Sequence, residues 1–301
     1  MFDRLALPDD LVDCRGNVLA PRGFVLSAES IADASQRASP LPRRALEATP
    51  LADDIGAPLE DPVHRPLFHG EGVRAEVARV LRAVRIPDAL LDELLAARRR
   101  AQAIYAHGLA TAAIAARMLG IAVGPARGVP ELAAAALLHD LGMLHVPPAI
   151  CERGERLGGD DAARIAAHTL VGAFHLATAL GNHPAVTAAR THHWRCGQGY
   201  PGLASPPPRS MEVVAVASAF AALTQPRPFR SGPYTARGAV DVLVVEAALG
   251  HADLNTVKLL VHALRGGAGE FRTMRLGHER EGHAPEVNRH APVAAPVKSY
   301  V

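Results

Sequence analysis

Aromatic residues are scarce in this sequence, at 4% of 301 residues, although hydrophobic residues as a whole make up 49%. Alanine is prominent in the apolar set. Because strands favour aromatic and β-branched side chains while alanine favours helices, this composition argues against a β-sandwich. The sequence therefore predicts an all-α fold whose helices pack closely through small side chains.

The sequence also has few cysteines and a small net charge. The three cysteines stand far apart and form no C-x-x-C pair, which predicts a reduced, cytoplasmic protein. The formal net charge of +2 is too small to indicate nucleic acid or a membrane surface as a partner. No secretory signal is visible at the start, and we expect no membrane-spanning segment because no apolar run approaches about 18 residues.

The chain divides into three regions by composition. Residues 1–70 combine short apolar runs and turn residues, which predicts a small β-hairpin, a helix capped by Ser27 and a Pro/Asp/Arg-rich linker from about residue 40 to 72. Residues 71–270 carry apolar side chains at helical spacing and predict a helical domain, with one long helix ending at Met118. Residues 271–301 are polar and aperiodic, which predicts a disordered tail.

The strongest local feature is Leu137–Gly142, where an alanine-rich helix ends in His139 and Asp140. An imidazole and a carboxylate together suit Zn, Mn or Fe, and a carboxylate can bridge two cations. An isolated His-Asp pair at a helix end is more often a cap or a surface pair, so this dipeptide alone does not establish a metal site.

Further histidines change that balance. His107 lies on the preceding predicted helix, His168 on the following one, and His192 and His193 precede a glycine-rich loop. Each of these alone could satisfy a hydrogen bond in the core. As a set in apolar surroundings they predict a metal centre, because a buried imidazole without a partner is costly. His145 and His175 are interpreted as a loop residue and a helix-surface residue.

The order of these segments resembles the HD-GYP family over about residues 100–265. The matching segments are HDLG at 139–142, HTLVG at 168–172, GYP at 199–201, AVASAFAALT at 215–224 and RPFR at 227–230. Residues 1–70 are more weakly similar to the N-terminal region of some family members. The resemblance implies an HD-domain helical bundle that hydrolyses cyclic di-GMP with divalent metal ions, one or two of Fe, Mn or a similar metal.

The same resemblance assigns roles to particular residues. One metal would be held by His107, His139 and Asp140, with Asp140 as the catalytic bridge to a second metal. The second metal would be held by His168, His192 and His193. Tyr200 would contact a cyclic dinucleotide, and a signalling protein such as a diguanylate cyclase could be a protein partner. Arg227 and Arg230 could bind a phosphate of the dinucleotide, because arginine forks suit that geometry, or they could be ordinary surface arginines in a proline-bounded loop.

The sequence also departs from the family pattern. Met143 stands where the family has Lys, and Ser218 and Ala221 stand where it has Asp. An ungapped alignment on the GYP segment places His192 on the second family histidine and His193 on a Glu, whereas a one-residue deletion places both on the histidine pair.

Three interpretations remain open from the sequence. The first is a metal-dependent phosphodiesterase with a weakened site. The second is a catalytically inactive HD-GYP-like module for ligand sensing or protein contact. The third is a plain helical interaction module with incidental histidines.

Overall fold

The computed structural model describes residues 3–197, 199–277 and 285–287. Its N-terminal part contains two small antiparallel pairs, in which β1 (Leu5–Ala6) pairs with β4 (Val25–Leu26) and β2 (Leu11–Val12) with β3 (Val18–Ala20). Helix α1 (Ala28–Arg37) begins after Ser27, whose side chain accepts the backbone N–H of Ser30. The predicted hairpin region and the Ser27 cap are therefore both present.

Residues 40–72 form a packed segment, and the prediction that they are a loose linker was wrong. They contain β5 (Arg43–Ala45), the short helix α2 (Ala57–Glu60) and several 3₁₀ turns. Six apolar side chains of this segment are at most 4% exposed and belong to the main core: Leu46, Leu51, Ile55, Leu59, Leu67 and Phe68. Strand β5 also pairs with β6 (Arg85–Pro87), which joins the segment to the helical part.

The remainder is helical, with no central sheet in the described ranges, which confirms the all-α class. The helices are α3 (Glu71–Arg82), α4 (Asp88–Arg100), α5 (Gln102–Val123), α6 (Val129–Leu138), α7 (Pro148–Cys151), α8 (Gly159–Ala166), α9 (His168–Leu180), α10 (Pro184–Thr191), α11 (Arg209–Thr224), α12 (Ala236–Ala248) and α13 (Leu254–Leu264). The single long helix predicted up to Met118 is two helices, because the backbone leaves helical geometry at Ala101 (φ −140°, ψ 53°).

Helix α5 lies at the centre of the fold and packs mainly against α6 and α11. It is long and apolar enough to cross a membrane by length and composition alone, but 67% of that stretch is buried inside the fold, as in a core helix. Small residues allow its close approach to α6. A Cβ added at Gly108 would lie 2.5 Å from the carbonyl oxygen of Leu137, the residue two positions before His139.

The turn after α6 is held against α9 by backbone contact. A 3₁₀ turn over Leu141–His145 follows Asp140. A Cβ added at Gly142 would lie 2.0 Å from the carbonyl oxygen of His168, and one added at Gly172 would lie 2.9 Å from the backbone nitrogen of Gly142. These two glycines therefore set the distance between the His139-Asp140 pair and the first turn of α9.

The C-terminal prediction is wrong where the structure describes the chain. A 3₁₀ turn covers Phe271–Thr273, and Phe271, Met274 and Leu276 pack against the core. Because these apolar residues are partly buried, residues 271–277 are not a disordered tail. The rest of the predicted tail, apart from residues 285–287, lies outside the described residues.

Candidate metal centre

Asp140 is the point on which four histidine rings converge. Its Oδ1 lies 3.2 Å from the Nε2 atoms of both His168 and His192. Its Oδ2 lies 3.4 Å from the Nε2 of His107 and 3.7 Å from that of His139. The side chains come from α5, the end of α6, the start of α9 and the end of α10, so the fold brings together residues that lie far apart in the sequence.

The ligand atoms form two groups that share Asp140. One group is His107, His139 and Asp140, and the other is Asp140, His168, His192 and His193; within each group the ligand atoms lie within 4.8 Å of one another. Both members of the His192-His193 pair face the centre, because α10 ends at Thr191 and the chain leaves the helix there. Because both histidines lie at the centre, the structure is compatible with either alignment of this pair.

Backbone carbonyls orient three of the rings. The Nδ1 of His139 lies 2.7 Å from the carbonyl oxygen of Ala136. The Nδ1 of His168 lies 2.5 Å from the carbonyl oxygen of Ile165, and the Nδ1 of His192 lies 3.0 Å from the carbonyl oxygen of Ala188. An Nδ1–H that donates to a carbonyl leaves the Nε2 lone pair directed at Asp140. This outer hydrogen bond is the usual support of a histidine that ligates a metal.

The electrostatics of the cluster suit a cation. Burial lowers the pKa of His107 to about 3 and that of His139 to about 4, which keeps both rings neutral near pH 7. Burial alone would raise the pKa of Asp140, but the surrounding imidazoles outweigh it and hold that pKa well below its usual range. The Nε2 atoms of the cluster face one another and a carboxylate, as in the 3.2 Å contact between the Nε2 of His168 and the Nε2 of His192. A divalent cation satisfies such a donor set, so the residues fit a metal.

Ser218 faces the same centre. Its Oγ lies 3.0 Å from the Nε2 of His139 and 3.3 Å from the Nε2 of His107, and the residue is 7% exposed. The position that the sequence comparison identified as a lost carboxylate is thus beside the His107 group. Met143 is half-buried in the 3₁₀ turn, where its N–H donates to the carbonyl oxygen of Asp140 at 2.9 Å.

The residues expected to contact substrate differ in where they lie. The ring of Tyr200 stacks on His193, with centroids 4.6 Å apart. Arg227 is close enough to Asp140 for charge interaction; burial lowers the pKa of its guanidinium, but an arginine stays protonated at neutral pH. The guanidinium of Arg230 instead donates to the carbonyl oxygens of Leu223 and Ala222 at 2.8 and 3.0 Å, at the end of α11.

A second cluster of buried polar side chains was not identified from the sequence. The Nε2 of His145 lies 3.3 Å from the Nδ1 of His175, and the Nε2 of His175 lies 3.6 Å from the Oε1 of Glu93. His175 is 3% exposed, so its interpretation as a helix-surface residue was wrong. The signal was in the spacing, because His175 lies two helical turns after His168 and therefore on the same inward face of α9.

The fold and the site together define an all-helical protein in which histidines and a shared carboxylate form a cluster that could hold metal ions. The sequence of residues 88–255, more than half of the chain, matches the family described as HD domain. The chain therefore belongs to the HD-domain family, in agreement with its resemblance to the HD-GYP branch.

The chain is similar to two proteins with known names, one by sequence and one by structure. Over 130 residues the chain is 30% identical to 3'3'-cGAMP-specific phosphodiesterase 1 of Vibrio cholerae serotype O1. That match covers 42% of this chain and 30% of the relative, so the chain matches about a third of the relative's length. A solved structure, Bd1817, a HDG"Y"P protein from Bdellovibrio bacteriovorus, is 19% identical, with a TM-score of 0.47 over 79% of this chain and 78% of that one.

Proposed function

We propose that the protein is a metal-dependent phosphodiesterase that hydrolyses a cyclic dinucleotide, cyclic di-GMP, in bacterial second-messenger signalling in the cytoplasm. The observation that carries the proposal is the position of Asp140, whose two carboxylate oxygens face two separate groups of histidine nitrogens at 3.2–3.7 Å. A carboxylate placed in this way can bridge two cations. The name of the Vibrio cholerae relative supports a cyclic dinucleotide as the substrate class.

The roles of the residues follow from this arrangement. We assign His107 and His139 to one ion, and His168, His192 and His193 to the other, with Asp140 shared. Divalent ions such as Fe or Mn, when bound, polarise phosphate oxygens and provide hydroxide near neutral pH.

The remaining groups bind and orient the substrate. Arg227 supplies a fixed positive charge beside Asp140, which favours an anionic phosphate. Tyr200 packs against His193 and orders the rim of the site. Arg230 supports the end of α11 through its two carbonyl contacts, so we assign it an indirect role.

A second candidate function rests on Ser218 and Met143. A neutral hydroxyl replaces a carboxylate beside His107 and His139, and a thioether replaces a cationic side chain. Both changes weaken a phosphodiesterase site. The alternative is a catalytically inactive HD-GYP-like module that senses a ligand or contacts a signalling protein such as a diguanylate cyclase.

One experiment separates these functions. The purified chain is stripped with a chelator, reloaded with Mn²⁺ or with Fe²⁺ under anaerobic conditions, and analysed for metal content. It is then incubated with cyclic di-GMP and 3'3'-cGAMP, and linear products are measured by chromatography. The enzyme proposal expects metal-dependent cleavage that Asp140→Asn abolishes. Metal or ligand binding without cleavage would support the inactive module, and no metal uptake would overturn the metal centre.

A further inference from the structure

A cleft of about 510 Å³ lies between the last turns of α5 and the first turn of α6, with α3 as its third wall. Gly120, on the α5 side of the cleft, lies about 20 Å along that helix from His107. The volume falls within the roughly 300–1,000 Å³ of small-molecule sites. The cleft can therefore enclose a ligand that does not reach the metal centre.

The inner surface of this cleft is aliphatic. Val77, Val80, Ala116 and Val129 line it, and each is at most 4% exposed, so these side chains form its floor. Among the residues that the structure describes, no aromatic side chain lines the cleft. A flat aromatic ligand would find no ring on which to stack, whereas a flexible aliphatic chain can pack against valine and alanine.

Two glycines keep the cleft open. A Cβ added at Gly72 or at Gly120 would meet no atom within 4 Å, so both residues border unfilled space. Both lie in helices, where glycine is less favourable than alanine, and neither has a positive φ that would require glycine. The missing side chains instead leave room for a ligand.

Arg117 brings a half-buried positive charge to the cleft. Its Nε donates to the carbonyl oxygen of Leu67 at 3.1 Å, and its Nη2 donates to the carbonyl oxygen of Gly266 at 3.3 Å. Burial lowers the pKa of Arg117, and no carboxylate of the described residues forms an ion pair that would offset this burial. An arginine stays protonated at neutral pH and has five N–H donors, so it can still donate to an anion. Because a buried charge without a counter-ion is costly, this arrangement indicates an anionic ligand.

The other charges at the cleft also favour an anion. Arg127 is exposed just before α6, whose N-terminus carries a partial positive charge. Glu76 lines the cleft as well, but the guanidinium of Arg79 pairs with both of its oxygens, at 2.9 and 2.7 Å. Three arginines thus face one glutamate around the cleft, which leaves an excess of positive charge.

We propose that this cleft is a binding site for a medium-chain fatty acid, separate from the metal centre. The aliphatic chain of the ligand lies on the floor of valine and alanine between α3 and α5. Its carboxylate accepts hydrogen bonds from Arg117, because a planar guanidinium matches two carboxylate oxygens. The site does not depend on the phosphodiesterase function, since none of its lining residues belongs to the metal centre.

Calorimetric titration of the metal-loaded full chain with octanoate tests this site. Two partial ligands separate the contributions: 1-octanol has the same chain without the charge, and acetate has the carboxylate without the chain. We expect octanoate to bind at one site and 1-octanol to bind about tenfold more weakly, because it lacks the charge-assisted hydrogen bonds. Acetate should bind at least about a hundredfold more weakly, since each buried methylene contributes a roughly fourfold gain in affinity.

Two variants locate the ligand within the cleft. Gly120→Leu places a side chain in the open space and should weaken octanoate binding about tenfold or more. The matched control is Gly159→Leu, at the exposed start of α8, where an added Cβ also meets no atom within 4 Å; it should bind like the unmodified chain. Arg117→Gln keeps N–H donors for the two carbonyl oxygens but removes the charge. It should weaken octanoate about tenfold and leave 1-octanol binding unchanged.

Several results would overturn the fatty-acid site. These are the absence of saturable octanoate binding and an equal affinity for octanoate and 1-octanol in the unmodified protein. Unchanged octanoate binding in a folded Gly120→Leu protein would also overturn it, because the ligand would then lie elsewhere. Cleavage of cyclic di-GMP is a separate measurement, and its absence would overturn the phosphodiesterase function while octanoate binding still supported the fatty-acid site.

Discussion

The Oγ of Ser218 lies 3.0 Å from the Nε2 of His139, on the inner side of the metal centre. The same oxygen is 3.3 Å from the Nε2 of His107. A side chain at this position therefore belongs to the immediate surroundings of any ion held by these two histidines. The half of the centre around His107 has two imidazoles and the shared Asp140, but only a neutral hydroxyl as the next oxygen.

Replacing Ser218 by Asp should strengthen metal binding at this half of the centre. The substitution adds a negative charge and an oxygen ligand beside two neutral imidazoles, so we expect metal affinity to rise about tenfold. Competition with a chromophoric chelator and elemental analysis would measure it. Ser205→Asp, at an exposed position, is the matched control. Unchanged affinity would show that residue 218 does not support an ion.

Adding Met143→Lys to Ser218→Asp addresses the phosphate rather than the metal. A lysine in the turn after Asp140 would supply a point charge for a phosphate oxygen. We expect cyclic di-GMP cleavage to rise in the double variant relative to Ser218→Asp, with metal content unchanged. His139→Ala in the same background should abolish cleavage. A double variant with no gain would place residue 143 away from the substrate.

Removing His193 should weaken the other half of the centre. One ligand atom of His193 lies within 4.8 Å of those of Asp140, His168 and His192, so His193→Ala removes one of four donors. We expect metal affinity to fall by roughly 10- to 100-fold. His69→Ala, which changes an exposed histidine, should have no effect. A normal affinity in His193→Ala would restrict the ligands of this group to the other three residues.

Gly142→Ala should destabilise the fold strongly. The new methyl group would lie 2.0 Å from the carbonyl oxygen of His168 and 2.7 Å from the backbone nitrogen of Gly172, and neither backbone atom can move without shifting α9. We expect a loss of about 3 kcal/mol or more in the free energy of unfolding, measured with urea. Gly120→Ala in α5 meets no atom within 4 Å and should instead add about 0.5–1 kcal/mol.

His175 should make stability depend on pH. Burial, with a contribution from His145, lowers its pKa to about 3, so the unfolded chain binds this proton more readily than the folded chain. The contribution of His175 to the free energy of unfolding is therefore fully present above about pH 6.5. It is lost as the pH falls toward the pKa of His175 in the folded protein. Between about pH 6.5 and 5 the expected loss from His175 is about 2 kcal/mol.

Urea unfolding at about pH 7.5 and about pH 5 would measure this contribution. The difference between the two pH values should be about 2 kcal/mol smaller in His175→Gln than in the unmodified protein. His69→Gln should retain the full difference, since this residue is exposed. An identical pH dependence in His175→Gln would mean that the ring is not held neutral by burial.

The helical class and the metal-centre residues could be predicted because each has a regular signal. Apolar spacing identified the helices, and the order of His107, His139-Asp140 and His168 along the chain identified residues that the structure places around one carboxylate. Ser218 also lies where the resemblance placed it. The assignment of these groups as ligands stays a prediction until metal binding is measured.

The packing of residues 40–72 could not be predicted in the same way. The buried side chains Leu46, Ile55 and Leu67 lie in 3₁₀ turns with no repeat of two or 3.6 residues, and the abundant prolines and charges around them are typical of a linker. Similarly, the guanidinium of Arg230 was expected to contact substrate because of its motif. Its contacts with carbonyl oxygens at the end of α11 are visible only in three dimensions.

The burial of Leu46, Leu67 and Phe68 bears on where the chain can be shortened. Tyr105 of α5 donates a hydrogen bond to Asp54 at 2.7 Å, and Arg117 donates to the carbonyl oxygen of Leu67 at 3.1 Å. A fragment that began at residue 73 would lose both partners and expose the apolar surface beneath them. We therefore expect such a fragment to aggregate, and we expect the smallest stable unit to include residues 40–72 together with the helices.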